Sequence, residues 1–148
     1  MNSHKQQKGF TLVELLVVIG VIGLLSTLAI IALGSARTKA RDAKRISDVK
    51  DVRNALELYF ADYGNYPVIA DGVVFGSPSA SCLDNSTQGW DAVCEDPYLA
   101  TVQADPGKYR YIYRSADGES YTIQITLESQ LGNLLPGDVI ATPSGISN

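Results

Sequence analysis

From Phe10 to Leu33 the chain runs 24 residues with one charged side chain, Glu14, and 16 of those residues are Leu, Ile, Val or Phe. A helix of that length rises about 36 Å, enough to cross a bilayer core of about 30 Å. Each large aliphatic residue favours insertion by roughly 0.3–0.6 kcal/mol, whereas an acid at mid-membrane costs about 2.5–3.5 kcal/mol and less near a helix end. The segment therefore inserts despite Glu14. The acid itself demands a reason.

What surrounds this run narrows the possibilities. With 148 residues in all, one small domain remains after the apolar segment. Arg37, Lys39, Arg41, Lys44 and Arg45 give a basic stretch broken only by Asp42, and from Ile46 to Asn148 there are 5 basic against 14 acidic residues. A body that acidic repels nucleic acid at long range, so DNA is an unlikely partner. The single histidine, His4, precedes the apolar run, so the body can build neither a histidine-based triad nor a histidine-ligated metal site. We expect no enzyme, no metal and no cofactor.

A secretory signal would also start basic and turn apolar, and Ser35-Ala36 could imitate its cleavage site. The apolar run is too long for that, and a helical pattern continues past it. Instead, Gly9-Phe10-Thr11-Leu12-Val13-Glu14, after a short leader carrying Lys5 and Lys8, resembles the class III signal of type IV pilins and type II secretion pseudopilins. The resemblance implies cleavage after Gly9 by a prepilin peptidase, N-methylation of the new first residue Phe10, and a role for Glu14 in assembly. A carboxylate in an apolar medium is tolerable beside a cation and hydrogen-bond donors. In a stack of subunits, Glu14 of an incoming chain can meet the Phe10 amine of a chain already in place and so set axial register. Gly20, Gly23, Ser26 and Thr27 are compatible with close helix packing, without the spacing of a strong dimer motif.

Beyond Ser35 the period persists. Ile46, Val49, Val52, Leu56, Tyr59, Phe60 and Tyr63 recur at three and four, no proline occurs before Pro67, and Gly64-Asn65 supplies a stop. One helix from Phe10 to Tyr63 is expected, amphipathic in its second half. The stretch from Arg41 to Tyr66-Pro67 also resembles the pseudopilin helix and its tyrosine-proline ending. Five basic residues after the apolar run against two before it would favour a cytoplasmic C-terminus; the resemblance favours an external one, and a dedicated leader can override the bias. The basic stretch itself reads as solvated or paired with neighbouring subunits, with headgroup and DNA contact as alternatives.

Residues 67–106 lose regular period and read as a long loop. Cys82 and Cys94 lie within it, and two cysteines in a small exported domain are expected to form a disulfide. Asp84 to Glu95 matches a calcium loop at its first, sixth and twelfth positions only, too little to assign the ion. Asn85-Ser86-Thr87 is a formal sequon. After Pro106-Gly107, Tyr109, Tyr111 and Tyr113 alternate with Arg110, Ile112 and Arg114, Ser115 to Glu119 turns the chain, and Tyr121, Ile123, Ile125 and Leu127 alternate with polar residues, which predicts an antiparallel hairpin with one apolar face. Leu134-Leu135 and Val139-Ile140, separated by Pro136-Gly137-Asp138, suggest a further short strand.

The expected architecture is α+β: a leader over 1–9, a membrane half-helix over 10–33, an amphipathic half-helix over 34–66, a loop over 67–106, an antiparallel sheet over 107–140 and a flexible tail over 141–148. The resemblance implies a G-like pseudopilin, stored in the inner membrane as a single-pass protein with its body outside the cytoplasm. It would then join a periplasmic or surface filament of identical subunits, with an assembly platform, an ATPase and minor pilins as partners. A pilin for adhesion, twitching motility or DNA uptake, or a permanently anchored binding module, remains the alternative.

Overall fold

The computed structural model describes residues 9–148, so the leader ahead of Gly9 lies outside the described residues. One helix, α1, spans Leu12–Tyr63, and eight strands follow it: β1 Ile69–Val74, β2 Cys82–Asp84, β3 Trp90–Asp91, β4 Pro97–Leu99, β5 Ile112–Ser115, β6 Thr122–Leu127, β7 Gly137–Thr142 and β8 Gly145–Ser147. The chain divides into two compact units, one ending at Arg37 and the other covering Thr38–Asn148. The fold is α+β, a long N-terminal helix with an antiparallel sheet, as the sequence predicts.

Among its described residues the first unit is helix from Leu12 onward. Leu12, Val13, Leu15, Leu16, Ile19 and the other large apolar residues through Leu33 all stand exposed. This stretch is long and apolar enough to cross a membrane. Gly20 and Gly23 have nothing within 4 Å of an added Cβ, so no contact within the chain requires them to be small.

In the second unit α1 buries Val49, Val52, Ala55, Leu56 and Tyr59, the stripe expected from the three-and-four spacing. Gly64, at φ 71°, ends the helix: its N–H reaches back 2.8 Å to the Phe60 carbonyl, a left-handed cap that a side chain would strain. The helix packs on a five-stranded sheet of order β1-β5-β6-β7-β8, antiparallel throughout. Tyr113 of β5 opposes Ile123 of β6, which opposes Ala141 of β7. With Tyr111, Tyr121, Ile125, Leu127 and Val139 these side chains form the buried core against the helix.

Two expected boundaries differ from the structure. The loop over 67–106 carries an edge strand, β1, and a second sheet of order β3-β2-β4. These strands are two to six residues long, and β1 is bulged between Ile69 and Val73, so none shows the alternation by which a strand is recognised. The tail over 141–148 is likewise structured: β8 pairs back on β7, and the Asn148 side chain donates 3.2 Å to the carbonyls of Leu135 and Asp138. Glycine, serine and a three-residue length hid it.

Leu56 is fully buried at the centre of the helix–sheet contact. Leu56→Ala should lower unfolding free energy by about 2–5 kcal/mol, read as a reduced urea midpoint with an unchanged slope.

Candidate functional site

At the start of α1 the residues of interest lie open. Phe10 is 84% exposed, and nothing approaches within 4 Å of a Cβ placed on Gly9. Glu14 does not face Phe10. Its carboxylate accepts the Thr11 backbone N–H at 2.9 Å and the Thr11 hydroxyl at 2.8 Å, while the Thr11 hydroxyl oxygen accepts the Glu14 N–H at 3.2 Å. This is a reciprocal capping box, which satisfies two of the orphan N–H groups at the helix start. It places a negative charge where the helix dipole favours one. The Thr-x-x-Glu spacing ahead of an apolar run could have revealed it from sequence; Thr11 was the residue overlooked.

The basic stretch departs most from expectation. The sequence suggests a stretch that is solvated or paired with neighbouring subunits, but Arg45 is fully buried and Arg41 half-buried, and both are paired within the chain. Arg45 Nε and Nη2 grip Asp105 at 2.6 and 3.1 Å, and Nη1 donates to Asp42 at 2.7 Å and to Glu128 at 2.8 Å. Arg41 makes a second fork onto Glu128 at 2.8 and 2.6 Å. The carboxylates have further donors. Asp42 accepts the backbone N–H groups of Glu128 and Ser129 at 2.9 and 2.8 Å and the Ser129 hydroxyl at 2.7 Å. Asp105 accepts the N–H groups of Gly107 and Tyr109 at 2.7 and 3.2 Å. The Tyr109 ring covers the Arg45 guanidinium, 5.2 Å from its centroid. Only Asp42, three residues before Arg45, was legible as a partner; Asp105 and Glu128 lie 60 and 83 residues away.

Electrostatics follow from this geometry. Burial works against the charged form of Asp42, but its four donors outweigh it and hold the carboxyl below its ordinary range. Asp105 is the same case, lowered by Arg45 and the Gly107 amide against its own burial. Arg41, then Arg45, draws Glu128 down to about 2. Arg45 is raised by Asp105 despite burial, so it is charged at every working pH. The Arg45 nitrogens are all paired, so the cluster clamps the helix to the end of β6 and to the loop before β5.

The two cysteines are joined, Cys82 in β2 to Cys94 beyond β3, with 6.2 Å between their Cα atoms. The partial calcium-loop match builds no site. Asp84 instead accepts the Asp96 N–H at 3.1 Å, and the Asn85 side chain accepts the Tyr63 and Tyr98 hydroxyls while donating to Asp96. Among the described residues no three His, Cys, Asp or Glu side chains are placed to hold a metal ion.

Two family models match the chain. The prokaryotic N-terminal methylation motif covers residues 4–30 and the type II secretion system protein G model covers residues 32–130. Relatives named type II secretion system core protein G are similar to this chain over most of their length. The protein from Aeromonas hydrophila is 38% identical over 127 residues, which is 80% of this chain and 89% of the relative. That from Vibrio cholerae is 33% identical, covering 84% and 82% of the two chains. That from Escherichia coli K12 is 32% identical over 114 residues, covering 77% and 67%. No solved structure matches.

Removing one member of the buried cluster strands the others. Arg45→Met should cost about 3–5 kcal/mol of unfolding free energy, and Arg45→Lys should recover only part of it because one ammonium cannot fork onto Asp105. The three carboxylates are lowered in the folded state, so their contribution is complete above their unfolded values and fades as pH falls. For Glu128 that window runs from about 4.5 down to about 2, and urea midpoints should drop across it and stay level above pH 5.

Proposed function

Because this chain belongs to the type II secretion system protein G family, we propose that it is a structural subunit of a pseudopilus filament. It is stored in the inner membrane, cleaved after Gly9, N-methylated at Phe10 and assembled through the apolar half of α1. The observation that carries this reading is that half-helix. Its large apolar residues from Leu12 to Leu33 are exposed, so the chain alone leaves them no dry environment. Lipid supplies one before assembly. Neighbouring copies of the same segment supply an equivalent one after it, so transfer from bilayer to filament core exchanges one apolar surrounding for another.

Processing and docking follow from the same end of the chain. The open Gly9-Phe10 junction is accessible to a membrane peptidase, and cleavage leaves a cationic amine on Phe10. In the stored subunit the Thr11 cap satisfies Glu14 locally and so reduces the cost of carrying a carboxylate beside the bilayer core. During assembly Glu14 pairs with the Phe10 amine of a subunit already in place. A charge pair in a low-dielectric core tolerates little slippage, which makes it a register mark. The body is proposed to lie outside the cytoplasm, consistent with its disulfide. An assembly platform, an ATPase and minor pilins are the machinery the reading requires.

Mass spectrometry of the protein purified from membranes should find a mature chain beginning at N-methylated Phe10. Glu14→Ala should still be processed yet enter filaments at a small fraction of the wild-type level, scored by shearing and immunoblotting. An intact leader, or cleavage near Ala36, would refute the filament reading in favour of an anchored or secreted binding module.

A further inference from the structure

We propose that the Cys82–Cys94 disulfide is a redox latch closed last, on a sheet already folded, and that Cys94 is the sulfur at which a dithiol–disulfide oxidase engages the chain. This inference does not depend on the filament reading.

The two half-cystines sit in unequal surroundings. Cys82 is 3% exposed, in β2 beside the buried Leu83 and near buried Ala80. Cys94 lies outside any strand and is partly exposed, and its neighbours Ala92, Val93, Glu95 and Asp96 are all exposed, Val93 at 78%. An incoming sulfur can therefore reach Cys94 without disturbing the core, whereas Cys82 is screened by it. The flanking Asp91, Glu95 and Asp96 carboxylates repel anionic small disulfides such as oxidised glutathione, which favours an enzyme as the oxidant.

What the bond holds is a small module. The segment between the cysteines contains the protein's one tryptophan, Trp90, whose ring packs 5.0 Å from Phe75 and 5.1 Å from Tyr113. The same segment lies on the end of α1. Tyr59 donates 3.0 Å to the Ser86 carbonyl, and a Cβ on Gly89 would come within 2.5 Å of the Pro67 ring. Yet β3 is two residues long and pairs with β2 only at Cys82↔Asp91 and Leu83↔Trp90. The five-stranded sheet includes neither strand. The strand pairing of that sheet does not use the bond, whereas the bond adds a covalent tie to a β2–β3 ladder of two residue pairs.

The chemistry balances with one oxidase. The Cys94 thiolate attacks the oxidase disulfide, forming a mixed disulfide and expelling one oxidase thiolate. The Cys82 thiolate then attacks the Cys94 sulfur, forming the Cys82–Cys94 bond and expelling the second. The chain gives up two electrons and its two thiol protons, and the oxidase leaves as a dithiol.

The test uses the full chain in detergent micelles. After reduction with dithiothreitol and a brief pulse of the uncharged alkylating agent iodoacetamide, peptide mass spectrometry should find Cys94 labelled at least about tenfold faster than Cys82. Trp90 emission should shift to the red while the far-UV circular dichroism is retained. With a purified thioredoxin-fold oxidase, Cys82→Ser should accumulate the mixed disulfide and Cys94→Ser should not. Equal labelling of the two thiols, unchanged Trp90 emission on reduction, loss of the far-UV signal, or a mixed disulfide trapped equally by both variants would each overturn the latch.

Discussion

A guanidinium with no exposed surface organises the folded body. Arg45 could not remain charged in that position unless every donor found an acceptor, and the fold meets the requirement by adding Asp105 and Glu128, from two distant segments, to Asp42 on the same helix. Such a cluster adds little net stability compared with a well-packed apolar core, because desolvation consumes most of the Coulombic gain. Its consequence is directional. A greasy helix face can slide or rotate on a sheet at small cost, but a forked guanidinium tolerates neither motion. The pairing fixes which turn of α1 meets the end of β6. From that registration follows the placement of Val49, Val52, Leu56 and Tyr59 against the strands.

Beyond the clamp the core is held by aromatic rings with polar ends. Tyr66, Tyr121, Tyr113, Phe75 and Trp90 form a continuous chain of ring contacts with centroid separations from 4.7 to 6.3 Å, and Tyr59 forms a second group with Tyr63 and Tyr98. Buried tyrosine hydroxyls favour sites with a hydrogen-bond partner. Tyr113 donates to the Pro67 carbonyl at 2.7 Å, Tyr111 to Asp48 at 3.3 Å and Tyr66 to Glu57 at 3.1 Å. Burial raises all three phenols, with Tyr66 at about 12. They are neutral hydrogen-bond donors throughout the ordinary range. The alternating Tyr111 and Tyr113 of the sequence are thus structural, their hydroxyls pinning a helix residue, Asp48, and the Pro67 carbonyl.

What the sequence disclosed and what it concealed differ for a physical reason. Periodic burial is written locally, so α1 with its Gly64 stop, the β5–β6 hairpin and the strand at Val139-Ile140 were legible from spacing alone. The order of Gly9-Phe10 and Glu14 ahead of a long apolar run was equally local. The pairing of Arg45 with Asp105 and Glu128 was not, because a basic run looks the same whether it is solvated or buried. Only the folded chain brings carboxylates to it from 60 and 83 residues away. Short strands escaped as well. Two or three residues cannot display a period of two, and β8, made of glycine, isoleucine and serine, has no compositional signal.

The acid in the apolar run now has a reason at the level of the single chain. Glu14 and Thr11 close the first turn of α1 on themselves, so the carboxylate enters the bilayer boundary with two hydrogen bonds already made. Arg45 in the core and Glu14 at the helix start answer the same constraint, that a charge leaving water must take its partners with it. They answer it with different reach. Arg45 is gripped by distant segments and moves only if the domain unfolds. Glu14 is held by one residue three positions away, through bonds that a single side-chain rotation releases. A contact gripped from many segments persists, and one made with a single neighbour three residues away is readily exchanged.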